Sequence, residues 1–423
     1  MDSLASYLQS VKKIANIRLG AYKDAREVEL AAEDINVYPN LDSLKEPVNV
    51  AIMEDFDKQR RLLGKKAVIE GRVLWEHTAA GEASRLGHGP KFFITPEKLK
   101  KMLGEGGKSF NSTLKPLELG RRHLFQLLYE IRNLAWELGI NPFEVLSRQR
   151  MLVVVSEESG PNIIKTVKND MYRLIPPEGL WFMVQPAFLG LSRQDGFWQF
   201  DPASPKHLHN HGFIIMQKTM DRQIFYQNEG GESSYFSQSA FLEELESYHD
   251  MVSYNIEDLD YLTGALDLDS IGLAMLLGEK GYGMMMEVIP NNPERPIKGG
   301  LCAHDPIIKK DVMIESFRLK GYKPIDIRYL NKNFNHYLDP AAVLKTINKK
   351  GLYMPPVVKD GYIYFQPVQG DVNFITKTLF FTRKNAKPIN SLKSELDILS
   401  ALEAMERQDK QPGFIKFVEG LTR

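Results

Sequence analysis

Short, mostly apolar runs that alternate with helical stretches are the feature that most constrains how this chain of 423 residues folds. The run MLVVVSEES is typical of a buried strand entering a turn, and PNIIKTVKND follows it as a helix. Further strand candidates are WFMVQPAFLGL, FIIMQ, MVSYNIED and YGMMMEVIP. Such runs are typical of parallel sheets, whose crossover connections place helices on both faces. The sequence therefore predicts an α/β fold with a mostly parallel mixed sheet flanked by helices.

The pattern also divides the chain into three parts. Residues 1–65 look helical and polar with no clear strand, and two X-Pro pairs interrupt them. Residues 66–330 carry the alternating elements, including the amphipathic stretch HLFQLLYEIRNLAWELG, which Gly139 is placed to end. Residues 331–423 contain the short strands YIYFQPV and KTLFFT and end in the amphipathic helix SLKSELDILSALEAME. We expect a helical N-terminal segment, a central α/β domain and a small C-terminal α+β domain.

The balance of charge limits the partners of this chain. Lys plus Arg number 54, as do Asp plus Glu, so the formal charge is zero. Proteins that bind DNA or RNA neutralise many phosphates, so we expect no nucleic acid polymer as a partner. The sequence contains no run of 18 apolar residues, so it predicts no membrane span. The single Cys302 and an N-terminus without an apolar signal core favour a cytoplasmic protein, with the C-terminal helix as a candidate surface for a homo-oligomer.

A loop of small residues, TAAGEASRLGHGPK, follows a strand-like run and predicts an anion site. The small side chains of Ala79, Ala80 and Gly81 let backbone N–H groups approach a phosphate or a base edge closely. Arg85 can donate paired hydrogen bonds to phosphate oxygens, and Lys91 adds a second positive charge. The loop lacks the GxGxxG pattern, and GEGGKS lacks the first glycine of a Walker loop, so we interpret GEGGKS as a surface loop.

The same loop, TAAGEASRLG…PK, resembles the signature LAGGxGTRLG…PK of the UDP-sugar pyrophosphorylases. The resemblance spans roughly Leu74 to the C-terminus, and its segments follow in the order of that family. Those segments are VVVSEES, FMVQPAFLGLS, HNHGFI, SYNIEDLDYLTGALD, EVIPNNPERPIKGGLCAHDP, LNKNFNHYLDPAAVL and RKNAKPINSLKSELDILSAL.

The resemblance implies a glycosyltransferase-A-like nucleotidyltransferase domain over residues 66–330 and a role in nucleotide sugar biosynthesis. The implied reaction converts UTP and a sugar 1-phosphate to a UDP-sugar and pyrophosphate, with Mg²⁺ as the cofactor. The implied site residues are Arg85 and Lys91 on the triphosphate, Ala79, Ala80, Gly81 and Gln185 near the base, His211, Gly212 and Asn333 on the sugar side, and Glu257 or Asp258 on the metal.

Several positions depart from the pattern of the family. Glu257 stands where the metal-binding Asp is usual, and its longer side chain moves the metal. Phe213 replaces an acid, no lysine precedes Lys298 in its segment, and alanines and a serine replace residues of the loop. Three alternatives therefore stay open: a non-catalytic binder of UDP-sugars, a nucleotidyltransferase for another triphosphate such as CTP, and a scaffold with a vestigial loop.

Ordinary structural roles also stay open for the individual residues. His207, His209 and His211 alternate, so on a strand they would share a face and could hold a metal. The favoured interpretation is that they are solvated histidines in a turn. Glu257 and Asp258 also suit the first turn of a helix, where carboxylates are favourable.

Overall fold

The computed structural model describes residues 3–81, 89–104, 114–292, 294, 299–323, 326, 328–386, 392 and 395–422, with the backbone alone at 333–335, 395 and 422. Its helices are α1 Leu4–Leu19, α2 Ala25–Leu30, α3 Ala32–Asn36, α4 Arg60–Ile69, α5 Pro96–Met102, α6 Leu119–Glu137, α7 Pro142–Ser147, α8 Gly160–Met171, α9 Asn210–Gln217, α10 Gln238–Leu245, α11 Leu268–Gly278, α12 Pro340–Lys350, α13 Val372–Ile375, α14 Glu395–Asp409 and α15 Pro412–Thr422.

The strands are β1 Val50–Ile52, β2 Val73–Thr78, β3 Arg150–Ser156, β4 Leu180–Gln185, β5 Ala187–Leu189, β6 Leu191–Gln194, β7 Phe197–Phe200, β8 Lys206–Leu208, β9 Ile224–Gln227, β10 Ser233–Tyr235, β11 Asp250–Asn255, β12 Met284–Pro290, β13 Leu301–Asp305, β14 Lys310–Ile314, β15 Tyr329–Leu338, β16 Pro356–Lys359, β17 Tyr362–Phe365 and β18 Thr378–Thr382.

One twelve-stranded mixed sheet organises the molecule, which confirms the predicted fold class. Its main path runs β1-β18-β12-β15-β11-β2-β3-β4-β9-β10, and β13 and β14 pair beside β15. Strands β1, β18, β12, β11, β2, β3 and β4 run in one direction, whereas β15 and β9 run in the other. Two smaller sheets, β16-β17-β6-β7 and β5-β8, lie off this path.

Helices cover both faces of the sheet because its central strands are apolar on both sides. Trp75, Val153 and Phe182 belong to a core shared with α6 and α8, while Leu74 and Leu152 belong to a second core shared with α1 and α9. The near-continuous apolar runs of the sequence are therefore explained by burial on two faces.

Several predicted elements are confirmed where periodicity or end signals are strong. The apolar residues of α6 at helical spacing are buried from Leu124 to Ala135, and Gly139 follows its end with a φ of +69°. Thr95 caps α5, since its Oγ1 accepts a hydrogen bond from the Lys98 N–H at 3.3 Å. The predicted strands at MLVVVS, MVSYN and MMMEVIP are β3, β11 and β12.

Two predictions about elements were wrong. FIIMQ is part of helix α9 rather than a strand, because a short run that is buried all round, as Gly212–Gln217 is, carries no period that separates the two. Residues 1–65 also contain the strand β1, which pairs in parallel with β18.

The division into residues 1–65, 66–330 and 331–423 stays a prediction of the sequence. Strands from all three ranges take part in the central sheet: β1 from the first, β2 to β4 from the second, and β18 from the third. Among the described helices, no segment combines the length and the apolar character that a membrane crossing requires.

Candidate active site

The carboxyl edge of the parallel strands brings the predicted site residues together. Ala79 follows β2, Gln185 ends β4, and Glu257 and Asp258 follow β11. In sheets of this kind ligands bind outside the carboxyl ends of the strands. We therefore describe this edge as the candidate active site.

The first residues of the small-residue loop are held between two strands. The Ala79 N–H donates to the carbonyl of Val154 at 2.7 Å, and Thr78 Oγ1 donates to the carbonyl of Tyr254 at 3.0 Å. Ala79 and Ala80 are buried. The loop thus leaves the sheet from a fixed point, and Arg85, with the rest of residues 82–88, lies outside the described residues.

Lys91 returns to this fixed point from the far side of the loop. Its N–H donates to the carbonyl of Gly81 at 3.3 Å. A Cβ built at Gly81 would lie 3.4 Å from Lys91 Nζ, so the ammonium lies close to this glycine. The buried ring of Phe92 anchors the turn Lys91–Phe93.

Lys91 and Glu257, which the sequence assigns to phosphate and to metal, form an ion pair. Lys91 Nζ contacts Glu257 Oε1, and the two side chains are only 11% and 21% exposed. The Glu257 N–H donates to Asn255 Oδ1 at 3.0 Å, and its carbonyl accepts from the Leu392 N–H at 3.2 Å. The backbone of Glu257 is therefore held on both sides while its carboxylate faces the loop.

Gln185 and the start of α9 make structural contacts with one another. Gln185 is buried, and its Nε2 donates to the carbonyl of Asn210 at 3.2 Å. The Gly212 N–H donates to the carbonyl of Pro367 at 3.0 Å, and a Cβ on Gly212 would lie 2.3 Å from the Pro367 carbonyl carbon. His211 Nδ1 accepts from the Gln369 N–H at 3.0 Å. These contacts fix α9 beside the carboxyl end of β4.

The three alternating histidines do not form a common metal site. His207 lies on β8 and its Nε2 contacts Asp360 Oδ2 at 2.8 Å, whereas His209 caps α9 and its Nδ1 contacts the Tyr7 hydroxyl at 2.7 Å. Burial lowers the pKa of His209 to about 3. The alternation in sequence does not become a shared strand face, because α9 begins at residue 210.

The donor chemistry of Glu257 and Asp258 suits magnesium, although not as a cage made by the protein alone. Across the described ranges, no group of three or more His, Cys, Asp or Glu residues is placed to hold a metal ion. Magnesium is commonly held by one or two carboxylates together with substrate phosphates. The Glu257 carboxylate, which faces Lys91, fits that mode, in which the phosphates supply the remaining oxygens, whereas Asp258 lines the cavity beside Glu287.

A charged cluster that the sequence analysis missed lies on the α11 side of the same edge. Glu287 on β12 is buried and contacts Lys332 Nζ and Arg383 Nε, both at 3.1 Å. Arg383 also contacts Asp267 Oδ2 at 2.5 Å. The cluster and Asp258 line a cavity of about 160 Å³. A lone acid inside the apolar strand MMMEVIP was the available signal.

A second missed feature is a wholly buried ion pair beneath the site. Lys218, at the end of α9, contacts the Glu76 carboxylate, and neither side chain is exposed. Ser253 Oγ donates to Glu76 Oε1 at 2.7 Å. Burial lowers the pKa of Lys218. The pair joins β2, β11 and α9, which are the two strands that lead into predicted site residues and the helix that carries His211 and Gly212.

Asn333, predicted on the sugar side, lies on β15 opposite Glu287 of β12 in the strand register. Its backbone therefore runs beside the charged cluster. Its side chain is outside the described atoms, so the role assigned to it stays a prediction.

Comparisons with known proteins find their matches in structure rather than in sequence. No protein-family model and no curated protein matches the sequence. The UDP-N-acetylglucosamine pyrophosphorylase of Trypanosoma brucei, solved with an inhibitor, is similar with a TM-score of 0.61 at 13% identity, covering 94% of this chain and 79% of that one.

A mutant UDP-glucose pyrophosphorylase of Leishmania major, solved with UDP-glucose, has a TM-score of 0.55 at 12% identity over 95% of this chain and 79% of that one. The UDP-glucose phosphorylase of Trypanosoma brucei has a TM-score of 0.56 at 14% identity over 94% and 77%. At identities this low, the likeness establishes the fold.

Proposed function

Because this chain has the fold of the UDP-sugar pyrophosphorylases, we propose that it is a nucleotidyltransferase that converts UTP and a sugar 1-phosphate to a UDP-sugar and pyrophosphate. The proposal depends on one observation: the Ala79–Gly81 backbone, Lys91 and Glu257 lie close together at the carboxyl edge of the sheet. The N–H groups of Ala80 and Gly81, the Lys91 cation and the hard anionic oxygen of Glu257 lie within one small region, which is the chemistry that a triphosphate with its metal ion requires.

The proposed reaction is an exchange of one phosphate partner for another. An oxygen of the sugar phosphate attacks the α-phosphorus of UTP, a P–O bond forms, and the opposite bond to the bridging oxygen breaks. The electron pair leaves with pyrophosphate. The attacking phosphate is already ionised, so no general base is needed, and catalysis rests on alignment and on neutralising charge.

The residues of this chain would divide that work by position. Lys91 would neutralise the α-phosphate as charge shifts, since its ammonium lies against Gly81 at the start of the loop. Arg85 would hold the β- and γ-phosphates and draw pyrophosphate away. Gln185 and the Ala79–Ala80 backbone would lie on the side of the base. His211, Gly212 and Asn333 would lie on the side of the sugar.

Glu257 or Asp258 would hold magnesium, which when bound supplies positive charge to the phosphate oxygens. Glu257 holds its carboxylate towards the loop through a backbone fixed by Asn255 and Leu392. Its position decides where a cation would stand relative to Gly81.

A pyrophosphate-release assay tests the proposal. Four nucleoside triphosphates are crossed with a panel of sugar 1-phosphates in the presence of magnesium. We expect release with UTP and one sugar, reduced about 100-fold or more in Arg85→Ala, the range seen when a preorganised donor to a developing anion is removed. Arg72→Ala, an exposed arginine at the other end of β2, is the matched control and keeps full activity.

The possible results separate the candidate functions. Release with CTP instead of UTP keeps the class of enzyme and changes the base. If no substrate in the panel gives pyrophosphate release but UTP or a UDP-sugar still binds by calorimetry, the protein is a non-catalytic binder rather than an enzyme. Turnover of Arg85→Ala within twofold of the parent would remove Arg85 from the catalytic assignment.

A further inference from the structure

The ion pair between Lys91 and Glu257 joins the two groups on which the proposed function depends. We propose that the Lys91 ammonium and a divalent cation are alternative occupants of the Glu257 carboxylate. Binding of the metal ion then releases Lys91 for the phosphates. The inference rests on the proposed function only in treating this edge as the nucleotide site.

The surroundings of the pair make it more than a solvated surface contact. Both side chains are largely buried, at 11% and 21% exposure, so water screens their attraction less than at an open surface. The backbone of Lys91 is tied to the Gly81 carbonyl, and its stem lies 3.6 Å from the position of a Cβ on Gly81. The ammonium is thus confined to a small space between Gly81 and Glu257.

Charge and space exclude simultaneous occupation. A magnesium ion demands oxygen ligands at close range and carries two positive charges. An ammonium in contact with the same carboxylate oxygen occupies one coordination direction and repels the ion. A metal ion that takes Oε1 of Glu257 therefore displaces Lys91. We expect the displaced ammonium to stay beside Gly81, because the Lys91 N–H is tied to the Gly81 carbonyl.

The length of the acid at position 257 is what permits this exchange. Aspartate is one methylene shorter, so its carboxylate would end about 1.5 Å nearer the backbone, the length of one C–C bond. We expect Glu257→Asp to lose contact with Lys91 while it keeps a carboxylate for the metal. The exchange is thus a property of this chain's glutamate rather than of any acid in its place.

Chemical labelling of Lys91 tests the release directly and without nucleotide. The full-length protein is acylated with an amine-reactive ester at fixed pH, and modification at Lys91 is followed by peptide mass spectrometry over a magnesium titration. We expect magnesium to raise the labelling rate of Lys91 about fivefold or more. In Glu257→Gln, Lys91 should be labelled quickly at every magnesium concentration.

Lys345 is the matched control lysine, because it pairs with Glu246 at the surface, where the side chains are 53% and 61% exposed. Its labelling should not respond to magnesium or to substitution of Glu257. A Lys91 rate that neither magnesium nor Glu257→Gln changes would overturn the proposal.

Binding of Mn²⁺ alone, followed by electron paramagnetic resonance, gives a second and independent readout. If the ammonium competes with the metal, Lys91→Met should bind Mn²⁺ about tenfold more tightly than the parent, and Glu257→Gln should keep only the background of surface carboxylates. An unchanged or weaker affinity in Lys91→Met would refute the competition. Glu257→Asp should combine fast labelling of Lys91 with retained Mn²⁺ binding, and slow labelling there would also refute it.

Neither measurement needs turnover, so this inference and the proposed function fail separately. Pyrophosphate release without any response of Lys91 to metal would support the proposed enzyme and refute the exchange at Glu257. If the labelling rate of Lys91 depends on metal but the protein releases no pyrophosphate, the exchange holds and the protein is a non-catalytic binder.

Discussion

Two buried histidines behind the candidate site make the fold sensitive to acid. His77 on β2 and His123 on α6 have ring centroids 5.6 Å apart. Within the described part of the chain, none of their four ring nitrogens has a hydrogen-bond partner, and a cavity of about 10 Å³ adjoins them. Burial lowers the pKa of His77 to about 4, and burial together with the charge of His77 lowers the pKa of His123.

We expect the free energy of unfolding to fall as the pH drops from about 6.5 towards 4. The unfolded chain binds protons near pH 6.5 and the folded chain only near 4, so His77 stabilises the fold above 6.5 and loses that contribution on acidification. At pH 5 the loss from His77 is about 2 kcal/mol. Urea unfolding at pH 7 and pH 5 measures it.

His77→Leu should lose less stability than the parent between these two pH values. Leu127→Ala is the control, because Leu127 lines the same cavity but does not titrate. It should lower the stability equally at both pH values. If His77→Leu has the same pH dependence as the parent, His77 is not the group responsible.

At the scale of elements, one buried arginine fastens the C-terminal helices to the fold. Arg122 on α6 is fully buried, and its guanidinium contacts Asp409 Oδ1 at 2.8 Å and Oδ2 at 3.0 Å. It also donates to Gln408 at 2.8 Å and to the carbonyls of Lys115 and Leu117. Helix α14 and the segment before α6 are therefore joined through a single side chain.

Arg122→Met should lower the stability by about 3–5 kcal/mol, because it leaves the carboxylate of Asp409 buried without its partner. Lys345→Met breaks the exposed pair with Glu246 and should cost far less, because water already screens that pair. Urea unfolding of both variants gives the comparison. Equal costs for the two would show that Asp409 reaches water when Arg122 is removed.

The elements that the sequence predicted correctly are those with a long or well-marked pattern. Helix α6 repeats its apolar spacing over five turns, and Thr95 with Pro96 marks the start of α5. The run FIIMQ has neither length nor alternation, and the burial of its whole surface in α9 removed the signal that would have identified a helix. Pattern therefore identifies a helix where one of its faces meets water, and it fails for a short helix that is buried on every side.

Local sequence patterns also limited how many residues of the candidate site could be predicted. Lys91 and Glu257 were predicted because each lies in a segment with a recognisable motif. Glu287, Lys332 and Arg383 come from β12, β15 and just beyond β18, and nothing in the sequence shows that these strands lie close together. Their meeting depends on the order of strands, which local pattern does not encode.

For the whole molecule, the C-terminal range completes the sheet rather than standing beside it. Strand β15 lies between β11 and β12, and β18 lies between β12 and β1. We expect a chain ending at residue 330 not to fold cooperatively, because β11 and β12 lose their shared neighbour and β1 loses β18. Thermal unfolding followed by circular dichroism tests this.

Co-expression of residues 331–423 with the shortened chain is the control for that experiment. If the loss is one of strand pairing, the second fragment should restore a cooperative transition. A cooperative transition in residues 1–330 alone would show that the remaining strands form an independent domain.

The position of β15 also sets the order of events while the chain is being made. Strand β11 ends at residue 255 and β15 ends at residue 338, so 83 further residues are made after β11 before β15 is complete. At 5–20 residues per second, the ribosome needs roughly 4–17 s for that stretch. Throughout this interval β11 exposes an unpaired edge, which is a template for association with other chains. Nascent chains of this protein therefore pass through an interval of several seconds in which only other molecules can protect the free edge of β11.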